Sequence, residues 1–83
     1  MDNNQAEYEA LLAKMRLAKE LEVKTLTAKS DSKLITGQVN GEYQTRDSQL
    51  MKYLDKATKM AATFEKFTLL HVPKEQNKRV DLL

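Results

Sequence analysis

Two stretches of strand length, separated by two helical patterns and by no tight hairpin turn, constrain this chain more than any other feature. Residues 23–30 read V-K-T-L-T-A-K-S, where Val, Leu and two threonines raise strand propensity. Residues 67–72 read F-T-L-L-H-V, a nearly continuous apolar run ended by Pro73 that suits a strand covered on both faces. Strands joined through helices run parallel, by a right-handed crossover. A parallel pair needs cover on both faces and neighbours on its edges, so two strands are too few, and the pattern predicts that sheet partners come from elsewhere.

The helices around these strands are legible from spacing. In residues 3–22, Tyr8, Leu11, Leu12, Met15, Ala18 and Leu21 recur at threes and fours, opposite Glu9, Arg16, Lys19 and Glu20. Asn3 or Asn4 can cap this helix, and Glu7 stands three residues after Asn4 in capping-box spacing. Leu34, Ile35, Gln38 and Val39 make a brief second helical face that stops at Asn40-Gly41. After a polar connector, residues 42–46, Asp47 or Ser48 can cap a third helix. Its stripe is Leu50, Tyr53, Leu54, Ala57, Met60, Ala61 and Phe64, with Lys52, Lys56 and Lys59 mostly outside it. A polar loop at 74–77 leads into 78–83, which read as the start of a further helix.

Composition narrows the chemistry. At 83 residues there is room for one small core, and a chain this short hides only about 60–65% of the surface its unfolded form exposes. Cysteine is absent, which removes disulfides, thiolate metal sites and redox chemistry. Fourteen Lys and Arg against 12 Asp and Glu leave a net charge of +2, too small for a general polyanion binder, so any nucleic-acid contact must depend on where the charges sit. No apolar run approaches the roughly 18 residues of a membrane span, and the first 15 residues are polar and acidic, so the expectation is an intracellular, soluble chain with no membrane partner. There is no glycine-rich phosphate loop, nucleophile triad or zinc-ligand spacing.

Functional groups of a parallel sheet collect at the carboxyl ends of its strands. Asp31 sits at one such end, His71 near the other, and Asp81 follows the second strand by one loop and about one helical turn. Glu7 falls at the border of the first helix's buried face. Carboxylates converging from separate elements are what two hard divalent cations need, since magnesium takes oxygen ligands and a metal pair can activate water and stabilise the leaving oxygen in phosphodiester hydrolysis. Plainer readings stand beside this one. Asp31 can cap the short second helix, Glu7 can complete a capping box, Asp81 can be a solvated charge, and His71 can be a hydrogen-bonded structural residue. The lysines of the third helix can be a solvated face, or a basic helix that contacts phosphates.

Three stretches, N-N-Q-A-E-Y-E-A-L-L at 3–12, S-D-S-K-L-I at 30–35 and H-V-P-K-E-Q-N-K-R-V-D at 71–81, resemble in order and spacing type 1 ribonuclease H. The nearest likeness is the plant ribonuclease H-like group, including the ribonuclease H regions of retrotransposon polyproteins, and Q-V-N-G-E-Y at 38–43 resembles that group as well. The resemblance implies an α/β ribonuclease H-like fold and a nuclease that cuts the RNA strand of an RNA/DNA hybrid with two magnesium or manganese ions. It implies that Glu7, Asp31 and Asp81 are the catalytic metal ligands, and that Asn3, Asn4 and Ser32 contact the hybrid. Short amides suit that task, because the RNA minor groove is shallow and its 2′-hydroxyls tell RNA from DNA. The chain departs from the family pattern in lacking its first three strands and, with them, the first metal-binding aspartate. Its loop before Asp81 carries no counterpart of the product-release histidine, and Lys33 stands where glutamine is common. The expectation is one partial domain over residues 1–83, inactive as these residues alone and completed by an N-terminal segment or a second chain. The alternative is a noncatalytic module that binds nucleic acid or completes another chain's sheet.

Overall fold

A computed structural model describes residues 3–73, in the order α1 (Asn3–Glu20), β1 (Thr25–Ser30), α2 (Lys33–Val39), α3 (Ser48–Ala61) and β2 (Lys66–His71). The strands pair parallel in a two-stranded sheet, with Thr25 opposite Lys66 and Ser30 opposite His71. This is the α/β arrangement expected of the chain. The two strands lie side by side and parallel because α2 and α3 carry the chain back to the starting edge.

One face of the sheet is covered. Alternation along β1 turns Leu26, Ala28 and Ser30 inward, and along β2 it turns Phe67 and Leu69 inward. These meet α1 and α2, while α1 packs along α3. Tyr8, Met15 and Ile35 form the most deeply buried centre, with Leu11, Leu12, Ala18, Leu50, Ala57, Phe64 and Leu69 around them. Phe64 and Phe67 stack at 6.3 Å between ring centroids, joining the end of α3 to the start of β2.

Several boundaries differ from the sequence expectation, each for a local reason. The helix pattern of 3–22 ends at Glu20, and Leu21 is exposed. Val23 donates its N–H to the Ala18 carbonyl and Glu22 donates to Lys19, both at 3.0 Å, which together form a Schellman close with Glu22 in the left-handed position, φ 59°. Residues 21–24 are thereby spent on the turn, and β1 begins at Thr25 rather than Val23. Asn3 and Asn4 stand inside the first turn of α1, not ahead of it. In α2, Leu34 turns outward and Thr36 and Gln38 turn in, because Gln38 has a partner inside, the Tyr8 hydroxyl. Residues 67–72 were expected to be covered on both faces, yet Leu70 is 45% exposed. The Asp47 carboxylate caps α3, accepting from the Gln49 and Leu50 amides at 2.8 and 3.2 Å.

Gly41 follows α2 at φ 83°, a conformation that the Asn40-Gly41 stop supplies at little cost. Gly37 has another use. A Cβ there would run into the ring of Tyr43, so the glycine lets the connector's aromatic ring lie against α2.

Candidate functional site

The two acids that the sequence singled out and the structure describes, Glu7 and Asp31, line one cleft of about 290 Å³. Asp31 is the first residue past β1, at its carboxyl end. Glu7 is half-buried one turn into α1, on the helix side that faces that strand end. Lys14 and Lys29 stand at the same cleft.

Ser30 ties the pieces together. Its hydroxyl donates to Glu7 Oε2 at 3.5 Å and accepts from the Ser32 amide at 3.1 Å, so one side chain links the α1 carboxylate to the backbone just beyond Asp31. Val72 donates to the Ser30 carbonyl at 2.8 Å and fastens the same point to the chain leaving β2. Ser30 was not among the sequence candidates. The available signal was alternation, since Leu26, Ala28 and Ser30 share the inward face and the last of them adjoins Asp31.

The capping reading of Asp31 fails. Ser32, not Asp31, occupies the N-cap of α2, with φ −91° and ψ 110°, and its Oγ accepts from the Ile35 amide at 3.2 Å. Asp31 is therefore left to face the cleft. Glu7 reaches Ser30 and Asp31 across to the sheet. Asn3 and Asn4 lie one turn before Glu7, the former exposed and the latter half-buried, so both share its side of α1. Ser32 keeps its hydroxyl proton for an outside acceptor while its oxygen serves the cap. Asp81 lies outside the described residues. His71 is exposed and pairs in register with Ser30 at the sheet's end.

The electrostatics agree with this placement. The Glu7 carboxyl is raised above its ordinary value, first by burial and then by the negative charge and hydrogen bonding of Asp31, with Ser30 and the Lys14 charge acting the other way. A positive charge beside the two acids relieves the repulsion that raises Glu7. Their oxygens suit a hard divalent cation such as magnesium or manganese. Among the described residues they are a pair, and no group of three or more metal-ligating side chains occurs.

The site is held by a buried brace. Tyr8, next to Glu7, donates its hydroxyl to Gln38 Oε1 at 2.5 Å and stacks on Tyr53 of α3 with ring centroids 5.8 Å apart and planes within 5°. Tyr53 donates in turn to Glu9 at 2.9 Å. The three helices are thus cross-linked at the level of the cleft, which fixes how far α1 can slide against the sheet. Among the described residues, no helix is long and apolar enough to cross a membrane.

Known proteins resemble this chain in sequence and fold. A sequence model of the family described as "Reverse transcriptase-like" matches residues 1–83. Ribonuclease HI of Halobacterium salinarum is 33% identical over 81 residues, covering 98% of this chain and 41% of that protein. The crystal structure of RNase H1 from the same archaeon superposes with a TM-score of 0.88 at 32% identity, over 100% of this chain and 63% of that one. The N-terminal RNase H domain of rv2228c from Mycobacterium tuberculosis, solved as a fusion with maltose-binding protein, gives 0.85 at 31% identity, over 98% and 62%. The chain spans less than two thirds of each of these relatives.

Proposed function

Because the chain belongs to the reverse transcriptase-like family and is of the ribonuclease H type, we propose that it serves metal-dependent hydrolysis of the RNA strand of RNA/DNA hybrids. The observation that carries this reading is the meeting of Glu7 and Asp31, from separate elements, in one cleft beside Ser30. In this reading Glu7, Asp31 and Asp81 supply the oxygens that hold two magnesium or manganese ions. Such a pair of ions, when bound, activates water and stabilises the leaving oxygen of the phosphodiester.

The chain's own residues have separate tasks. Glu7 and Asp31 give up a costly mutual repulsion when a cation lies between them. Ser30 orients Glu7. Asn3 and Asn4 face the hybrid's minor groove from the start of α1, and Ser32 offers its hydroxyl proton to a phosphate or a 2′-hydroxyl from the start of α2. We read residues 1–83 as one partial ribonuclease H-type domain, supported by the family match over those residues, and assign it to the plant and retrotransposon group on the resemblance of the Q-V-N-G-E-Y stretch. Residues 1–83 taken alone bind metal and hybrid in this account but do not cleave, since the three carboxylates of Glu7, Asp31 and Asp81 are few for two ions.

Fluorescence anisotropy with labelled 12-base-pair duplexes tests the reading. In magnesium the RNA/DNA hybrid binds several-fold more tightly than the DNA duplex of the same sequence, and Asp31→Asn abolishes that preference. Equal binding of the two duplexes, or a preference unchanged by Asp31→Asn, overturns it.

A further inference from the structure

A second cleft lies on the other side of α1. Glu9, Arg16, Gln49, Lys52, Tyr53 and Lys56 line a groove of about 530 Å³ between α1 and α3. Residues 7 and 9 of a helix point about 200° apart, so this groove and the Glu7 cleft open on opposite flanks of α1. Nothing in the proposed hydrolysis uses it.

Its charges are unspent. Among the described residues Lys59 pairs with Asp55 at 3.0 Å, while Arg16, Lys52 and Lys56 are exposed and hold no ion pair. The one carboxylate in the groove, Glu9, already accepts from the Tyr53 hydroxyl. Lys52 and Lys56 stand one turn apart on the same face of α3, with Arg16 opposite on α1 and the Gln49 amide a further donor at one end. A net charge of +2 for the whole chain makes this concentration of three free cations a local feature, not a general basic surface.

We propose that the α1–α3 groove is a second nucleic-acid contact, which takes a phosphodiester backbone by charge and hydrogen bonding without reading sequence or sugar. A row of cations along a groove matches a polymer that presents one negative charge per nucleotide. The Gln49 amide supplies a neutral donor of the kind that usually accompanies lysine and arginine at phosphates. The inference rests on the nucleic-acid reading above for its choice of polyanion, and not on the metal site. It assigns the groove a metal-independent, salt-sensitive share of binding, so that a nucleic acid engaged at Glu7 and Asp31 gains a second hold on the opposite flank of the same helix, or a second strand is held there.

Anisotropy titrations of a labelled 12-base-pair DNA duplex in EDTA, at 50–200 mM salt, separate the two sites. Lys52→Gln with Lys56→Gln keeps helix propensity and removes two cations. The pair weakens binding at least tenfold at 50 mM salt, and the slope of log affinity against log salt falls in magnitude by about 1.8. A control pair of equal charge change, Lys24→Gln with Lys59→Gln, moves neither quantity by more than a small fraction of that. The comparison runs in EDTA, where the Glu7–Asp31 site holds no metal, so loss of the metal reading and loss of this one are told apart. Equal weakening by the two lysine pairs, an unchanged salt slope, or displacement of the DNA by an acidic peptide at matched charge concentration overturns the proposal. Circular dichroism of each variant confirms that α3 is intact.

Discussion

Removing one oxygen from the core should reveal how firmly the site is braced. In Tyr8→Phe the ring keeps its stack on Tyr53, but Gln38 Oε1 loses its donor. Tyr8 is 0% and Gln38 4% exposed, so water cannot step in. The stranded amide oxygen costs about 1–3 kcal/mol, its desolvation penalty without a partner. For a domain of this size that lowers the melting temperature by roughly 5–20 °C. Thermal unfolding followed by circular dichroism reads the loss. Gln38→Leu strands the Tyr8 hydroxyl and costs a similar amount. The double variant removes both ends of the bond, so it costs less than the sum of the singles by about 1 kcal/mol or more. A neutral Tyr8→Phe, or strictly additive costs in the double variant, would refute the claim that this hydrogen bond locks α1 to α2. The Tyr8 phenol, pushed up to about 12 by burial, should also stay protonated in a spectrophotometric titration through pH 10.5, where an exposed tyrosine ionises.

Other expectations follow from single features. The Glu7 carboxyl is raised, so between the ordinary glutamate value and its higher native value the folded state binds more protons than the unfolded one. Stability in EDTA therefore falls as pH rises through that window; urea midpoints from pH 4 to 7 should show the fall, and Glu7→Gln should flatten it. Glu22→Gly relieves a left-handed residue in the turn after α1 and should raise stability by about 1 kcal/mol in urea unfolding, where no change would mean that Glu22 is unstrained. Gly37→Ala drives a methyl group into the Tyr43 ring and should cost about 1–3 kcal/mol by the same assay, with a shift in Tyr43 fluorescence; a neutral result would show that the ring does not rest on α2.

The parts of the fold that sequence revealed are those where one periodicity dominates. The apolar stripes of α1 and α3 run over several turns, and burial simply selects the stripe already present. Local ambiguity defeated the rest. The end of α1 carries no glycine, so the Schellman close on Glu22 had no marker. Asp31 and Ser32 are both good caps in adjacent positions, and only the backbone angles decide that serine takes the role and frees the aspartate. In α2, seven residues are too few for a stripe, and the buried Gln38 follows its hydroxyl partner rather than hydropathy. Glu7 and Asp31 emerged through the family resemblance combined with their placement at a helix border and a strand end. Ser30 carries no distinctive residue chemistry, and its role depends on a distance to Glu7 that spans 23 residues of chain.

The account stands or falls on whether Glu7 and Asp31 together hold a divalent cation. Manganese titrated at substoichiometric amounts into isotopically labelled protein broadens the amide resonances near it. The account predicts broadening centred on Glu7 and on residues 30–32, lost in both Glu7→Gln and Asp31→Asn with the rest of the spectrum unchanged. Broadening centred elsewhere, or surviving in both variants, would contradict it.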